Sequence, residues 1–281
     1  MKGSFRIFLL FLGFLSTVCS CKKTNNGSPN PQAAYSLNYG DSVFYLKTSA
    51  LDYIIAPTMP RTGQYVGFPA GIDIDQNSGA INISKCETGL RYRVTFFPTG
   101  STDSFNTIIL ISGINFLDGF YKLTTADSLA RPIYNGNLSN SIPSLNKGTL
   151  FDDGSNCNKN GCVVNTVNGV INLAQTVRNG VFGTVPKNNE RHEYDMNYRI
   201  DDKSAKSLNT IRVKLYYFDT ITNVTQEVYD IIASRQGSLL GHAPAPTPFH
   251  NMTSVNGISQ TTGSSAPPPK PRPPCIFVLA R

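Results

Sequence analysis

Gly71-Ile72-Asp73-Ile74-Asp75-Gln76-Asn77-Ser78-Gly79-Ala80-Ile81-Asn82-Ile83 returns at an offset of 90 residues as Gly161-Cys162-Val163-Val164-Asn165-Thr166-Val167-Asn168-Gly169-Val170-Ile171-Asn172-Leu173. Both glycines coincide, as do the Ile74/Val164 aliphatics, the Asp75/Asn165 pair and the closing Ile-Asn-aliphatic run. Self-similarity at a fixed offset marks a chain built from repeated units. Downstream the offset grows: Tyr92-Arg93-Val94-Thr95-Phe96 parallels Tyr194-Asp195-Met196-Asn197-Tyr198, and Asn106-Thr107-Ile108 parallels Asn209-Thr210-Ile211. The second copy therefore carries extra residues near 177–192.

The repeated elements read as strands. Arg91-Tyr92-Arg93-Val94-Thr95-Phe96 alternates with period two, and Thr210 to Tyr216 does the same, with Ile211, Val213 and Leu215 on one face. Thr107 to Ile111 is a continuous apolar run suited to a central strand. Asp75–Gly79 and Asn165–Gly169 read as turns, since Asx side chains bond to nearby backbone and glycine accepts positive φ. The expected class is all-β: two tandem immunoglobulin-like β-sandwiches at 35–124 and 125–240, a short helix, and a Pro-rich C-terminal tail. The helix is expected after an Asn223 cap, with Val228, Ile231 and Ile232 on one face and Gly237 at its end. Ile74, Ile81, Val94 and Ile108 are expected to face the first core, and Val164, Ile171, Met196 and Ile211 the second.

Composition agrees with a folded chain bearing few charges. Of 281 residues, 15% are charged and 40% hydrophobic, with 16 Phe and 13 Tyr but no Trp. That is too apolar for a wholly disordered chain. The formal charge of +7 is spread thinly and contains no Lys/Arg-rich block, so nucleic acid is not an expected partner. Residues 241–281 form a Pro-rich tail, expected to be disordered and partly polyproline II, that closes in the strand-like Cys275-Ile276-Phe277-Val278-Leu279. That terminus is expected to return to a sheet edge.

Lys2 and Arg6 precede the apolar stretch Ile7 to Leu15, which is shorter than the roughly 20 residues needed to span a bilayer and has the size of a signal-peptide core. Val18-Cys19-Ser20-Cys21 follows and resembles the bacterial lipoprotein signal, with an aliphatic three before Cys21 and a small residue just before it. The resemblance implies cleavage after residue 20 and lipidation of Cys21 with palmitate-type chains, and the small, polar, uncharged run Thr24 to Ala34 reads as the body of a flexible tether over 21–34. Loss of Lys2 and Arg6 lowers Lys+Arg from 25 to 23 against 18 Asp+Glu, leaving a net charge of +5. The implied address is the cell outer membrane through a lipid anchor. Whether the chain faces the periplasm or the cell surface stays open.

Phe68-Pro69-Ala70-Gly71-Ile72-Asp73-Ile74-Asp75, Ser78-Gly79-Ala80-Ile81, Gly89 and Tyr92-Arg93-Val94-Thr95 together resemble the immunoglobulin-like, cadherin-related repeats of Bacteroidetes lipoproteins. The resemblance implies a seven-stranded sandwich serving as spacer or adhesion module, without catalytic residues. Asp41-Ser42-Val43, Asp127-Ser128-Leu129 and Asp219-Thr220-Ile221 also resemble the short O-glycosylation acceptor of exported proteins in that phylum.

Candidate chemistry is sparse. The sequence contains no GxSxG, GxxxxGK or GxGxxG, and Ser144-Leu145-Asn146-Lys147 lacks the partner motifs of S-x-x-K enzymes. No catalytic residue, cofactor or metal site is expected. Asp73, Asp75 and Asn77 have calcium-like spacing without the glycine and distal acid of an EF-hand, so they read as a hairpin turn. Asp152, Asp153, Asn156, Asn158 and Asn160 read as a solvated loop. Cys157 and Cys162 enclose four residues and are expected to form a disulfide in an oxidising compartment. Pairing of Cys86 with Cys275 stays open. The function read from this is a non-enzymatic, lipid-anchored envelope protein that is structural, adhesive or presents a protein or glycan ligand. The alternative is a carbohydrate-binding accessory lipoprotein of a glycan-uptake system, with Tyr216-Tyr217-Phe218 as its stacking platform.

Overall fold

The computed structural model describes residues 35–124, 128–235 and 272–281. The signal peptide, the tether, Gly237 and most of the Pro-rich tail lie outside the described residues. The first repeat comprises β1 (Val43–Phe44), β2 (Ile54–Ile55), β3 (Gly63–Phe68), β4 (Ile81–Asn82), β5 (Leu90–Pro98) and β6 (Phe105–Ile111). One sheet has the order β1-β6-β5-β3, and β2 pairs with β4 in a second sheet. Period-two alternation turns Leu90, Tyr92, Val94 and Phe96 of β5 inward, all fully buried. β1 joins β6 in parallel, at Val43↔Leu110 and Phe44↔Ile111.

The remaining elements are β7 (Ile114–Phe116), β8 (Gly119–Lys122), β9 (Leu129–Ala130), β10 (Pro132–Tyr134), β11 (Leu150–Phe151), α1 (Asn156–Lys159), β12 (Ile171–Asn172), α2 (Leu173–Arg178), β13 (Glu190–Arg199), β14 (Asn209–Phe218), α3 (Gln226–Arg235) and β15 (Cys275–Leu279). The large sheet has the order β11-β13-β14-β15-β8. The chain is all-β, and its two halves repeat one sandwich plan. β9 pairs with β12 as β2 pairs with β4, and β11, β13 and β14 stand where β3, β5 and β6 stand.

The quoted repeat is the same hairpin built twice. The Gly79 N–H donates to the Asp75 carbonyl at 2.8 Å, and the Gly169 N–H to the Asn165 carbonyl at 2.8 Å. Both glycines sit at positive φ, +71° and +72°, where an L side chain is strained. A Cβ on Gly79 would meet the Tyr65 ring at 2.7 Å, and one on Gly169 the Phe151 ring at 2.7 Å. Each ring then stacks on the next strand, Tyr65 on Phe96 at 4.5 Å and Phe151 on Tyr198 at 6.3 Å. The extra residues of the second copy form the end of α2 and the loop leading to β13.

Several expectations are corrected. Ile81 and Val94 are buried, as are Val164, Ile171, Met196 and Ile211, but Ile74 is only half-buried and Ile108 is 37% exposed. Tyr92 pairs with Ile109 and its counterpart Tyr194 pairs with Val213, so the true equivalence runs one residue off the Asn106/Asn209 match. A one-residue slip turns every side chain to the opposite face. Ile109, not Ile108, therefore enters the core. Residues 114–122 of the expected first unit contribute β7 and β8 to sheets completed by second-half strands. The last strand lies inside a sheet, between β14 and β8, rather than at an edge. α3 begins after Thr225, whose carbonyl accepts the Val228 N–H at 3.1 Å, while Asn223 sits in a preceding 3-10 turn. Val228 is the fully buried residue of α3, with Ile231 and Ile232 packed against the same cluster.

The segment after the first repeat enters the second core. Ile114 and Phe116 pack with Phe151, Tyr198 and Val278. Thr88 of the first repeat and Tyr198 of the second share a hydroxyl–hydroxyl bond of 2.8 Å. Truncating Ile109 to Ala should cost about 2–5 kcal/mol, the range for emptying a packed aliphatic site. Ile108→Ala should cost under about 1 kcal/mol, as surface changes do. Urea unfolding monitored by circular dichroism distinguishes them, and equal losses would reject this register.

Candidate functional site

Cys21 lies outside the described residues. Cys157 and Cys162 are brought together: Cys157 lies in α1, and the Cys162 N–H donates to its carbonyl at 3.0 Å. Both are buried and both are free thiols in this structure. A hydrogen bond with Cys162, then burial, pushes the Cys157 thiol well above its ordinary range, so it is no thiolate nucleophile at neutral pH. The loop expected to be solvated exposes Asn156, Asn158 and Asn160, and the expectation is corrected at Asp152. Asp152 is buried, and its carboxylate accepts the Cys157 N–H at 2.8 Å and the Asn158 N–H at 3.0 Å, tying down the first turn of α1. Asp153 pairs with Arg199 at 2.7 Å.

The Cys86 thiol accepts the Asp73 N–H at 3.2 Å and donates to the Asn82 carbonyl at 3.2 Å. Thr176, 90 residues on, makes the same pair of bonds to Val163 and Asn172 at 2.9 and 2.8 Å. Cys86 thus does the work of a hydroxyl, and burial pushes its thiol up to about 12. Asp75 accepts the Asn77 and Ser78 N–H groups at 3.0 and 2.7 Å, which holds its carboxyl below the usual range. Asn165 does the same for Val167 and Asn168 at 2.9 and 3.2 Å, so the turn does not need the charge. The stacking platform expected of Tyr216-Tyr217-Phe218 is corrected: all three are buried. Tyr216 lies against Phe277 and under the Arg191 guanidinium, and Tyr217 against Phe182, so neither offers an open face.

Sequence reasoning missed a buried polar cluster at the entry to β15. Asp118, between β7 and β8, has a side chain only 5% exposed. Its carboxylate takes Arg235 Nη1 at 2.6 Å, Arg272 Nη2 at 3.2 Å and the Cys275 N–H at 2.7 Å. Arg235 also donates to the Pro273 carbonyl at 2.6 Å and to the Cys275 sulfur at 3.3 Å. One carboxylate thereby fixes the end of α3 and the start of β15. Its own context is plain, a lone acid after Phe116-Leu117, and its partners lie 117 and 154 residues away. Only the return of Cys275–Leu279 to a sheet, anticipated from its apolar character, pointed here.

Glu87 is the other buried acid of this region. Burial pushes its carboxyl up to about 7, against the pull of Arg272, Arg235 and Arg212, with Asp118 adding to the rise. A small cavity of about 10 Å³, lined by Ser112, Tyr198, Asp202 and Asn209 among others, lies where the repeats meet. It has room for about one water and none for a substrate. Among the described residues no three or more His, Cys, Asp and Glu side chains gather as metal ligands, and no helix is long and apolar enough to cross a membrane.

No family model and no curated protein matches the chain. Among solved structures it is similar to Drosophila N-cadherin EC1-4, at 12% identity over 63% of this chain and 47% of that one, with a TM-score of 0.21. It is also similar to human protocadherin-24 EC1-2, at 4% identity over 64% and 96%, with a TM-score of 0.22. A third likeness is to the extracellular domains 3-5 of Drosophila OTK, at 13% identity over 62% and 58%, with a TM-score of 0.20. The chain thus spans about half the length of the N-cadherin fragment. Overlaps this slight carry no weight, and the fold assignment rests on the strand order and register above.

Glu87 generates a pH prediction. Its folded pKa of about 7 lies above the ordinary 4.5, so the folded state binds the proton more tightly than the unfolded chain does. The stability it contributes is complete below about pH 4.5 and is lost as pH rises through 7, by about 3 kcal/mol in all. Denaturant titrations of the native chain and Glu87→Gln should therefore diverge across that window, the Gln form keeping its stability at pH 8. A constant difference between them from pH 4.5 to 8 rejects the assignment.

Proposed function

We propose that this protein is a non-enzymatic, lipid-anchored component of the bacterial cell envelope, held at the outer membrane through Cys21 and serving a structural, adhesive or ligand-presenting role. One observation carries the reading: the two β repeats are bonded directly to one another through Thr88–Tyr198 and Ser112–Asp202, and the buried acids Asp152 and Asp118 are committed to a helix end and ion pairs. Such an arrangement suits a rigid spacer behind an anchored N-terminus. The burial of Tyr216-Tyr217-Phe218 removes the platform on which the glycan-binding alternative rested.

The anchor is tested by metabolic labelling with a fatty-acid analogue, followed by membrane fractionation. The parent chain should carry label and sediment with the outer membrane. Cys21→Ala should lose both label and processing, and Cys19→Ala should keep both. An unlabelled parent, or a label that follows Cys19, overturns the assignment. Two or three acyl chains are needed for stable attachment, at about 0.8 kcal/mol per buried methylene.

The same exported address supports a Cys157–Cys162 disulfide, since the two residues already adjoin in the second core. Non-reducing peptide mass spectrometry of protein taken from cells should find them joined. Reduction should then cost about 2 kcal/mol, the modest gain of a short closed loop. Two alkylatable thiols in protein from the envelope would reject the bridge.

A further inference from the structure

The two large sheets differ in one place. In the first repeat, β1 occupies the seat beside β6, level with Leu110 and Ile111, which pair onward with Arg91 and Leu90. In the second repeat the equivalent positions are Lys214 and Leu215, which pair onward with Glu193 and His192. β15 occupies the seat beside them, with Cys275 and Ile276 standing where Val43 and Phe44 stand in the first repeat. β8 is set one place outward and pairs in parallel with β15. The first sheet is thus completed by a strand that precedes its hairpin, and the second by one that follows it, beyond residues 236–271.

Everything that recognises this seat travels with residues 272–279. All five residues of β15 are buried, and the strand is paired in parallel on both sides. Phe277 packs against Tyr216 and Phe120, at 4.9 and 5.7 Å. Arg272 and the Cys275 N–H both close on Asp118. Yet the chain's exit and return points lie within reach of one side chain, since the Arg235 guanidinium at the end of α3 donates to the Pro273 carbonyl. A parallel crossover needs about a dozen residues. Residues 236–271 supply 36, enough to reach about 120 Å when extended. A compact unit of this size has a radius of gyration of about 18 Å. The connection therefore exceeds what insertion into its own chain requires and suffices to reach a neighbouring copy.

We propose that the seat beside β14 is an exchangeable strand site, and that its partner is a second copy of this chain, which donates residues 272–279. The same ladder and the same Asp118 clamp then form between copies. Insertion within one chain and donation between chains compete, so concentration selects between them.

The full chain carrying Lys214→Cys tests this, because residue 214 is the register partner of Cys275 and a disulfide there records which chain donated the strand. Copies labelled with ¹⁴N and ¹⁵N are mixed, refolded at graded concentrations, oxidised and digested. Linked peptides of mixed label should rise with concentration toward half of the total. Same-label links alone at every concentration overturn the proposal. Native mass spectrometry of the unaltered chain provides a second reading that does not depend on the variant. Hybrid ¹⁴N/¹⁵N dimers should form and should dissociate in excess synthetic peptide 272–281. Their absence, or their persistence against that peptide, also overturns it.

Discussion

A carboxylate sealed from water must be matched where it sits, and Asp118 is that constraint in this molecule. An unpaired buried charge costs several kcal/mol, and breaking a buried pair typically costs about 3–5 kcal/mol. The match here needs three donors from two distant segments, Arg235 of α3 and both Arg272 and the Cys275 N–H at the head of β15. Geometry does the rest. With Cys275 fixed at Asp118, β15 can run only between β8 and β14, and Ile276, Phe277 and Val278 fall into two cores at once. The pair gives register and place to a strand whose apolar residues supply the affinity.

The duplication shows which features of a repeat are dictated by physics and which are free. The turn glycines are dictated, because positive φ and an aromatic ring at 2.7 Å together exclude any side chain. The aromatic is free within its class, Tyr65 or Phe151. The turn acceptor is free in charge, Asp75 or Asn165, since an oxygen aimed at two N–H groups is all that is required. The bond behind the next strand is free between sulfur and oxygen, Cys86 or Thr176. This also explains why Cys86 has no need of a disulfide partner.

Much of the plan was legible in the sequence because it is local. Alternation in Arg91–Phe96 and Thr210–Tyr216 assigned the inward faces, and the Asx–Gly turns located the hairpins. The slip at Ile108 came where alternation stops. Ile108-Ile109-Leu110-Ile111 is a run of four aliphatics, and nothing within it says which pair faces inward. The hydrogen-bond ladder decides it, with Ile109 opposite Tyr92. Tyr216-Tyr217-Phe218 misled for a related reason. One face of β14 meets the second core and the other is covered by α3 and Phe277, so a strand buried on both sides looks, in sequence, like an aromatic platform. The Asp118 cluster could not be read at all, since its bonds span more than a hundred residues.

The last strand also reaches beyond its own sheet. A Cβ on Gly71 of the first repeat would stand 3.3 Å from Arg272 Cβ and 3.0 Å from Glu87 Cβ, so the stem of Arg272 runs against first-repeat backbone while its guanidinium holds Asp118. Tyr92, from the first core, donates its hydroxyl to the Glu87 carbonyl at 2.7 Å just beneath. Packing and charge therefore meet at one residue that belongs by sequence to neither repeat. Withdrawing residues 272–279 would open the long edge of β14 and strip Asp118 of two donors, and would remove a wall from the Gly71–Glu87 corner. The two repeats meet through the Thr88–Tyr198 bond, but their relation at this corner is fixed by a strand that arrives last. Continuity of the fold thus depends on a segment whose recognition of its seat is complete within eight residues, wherever the rest of its chain lies.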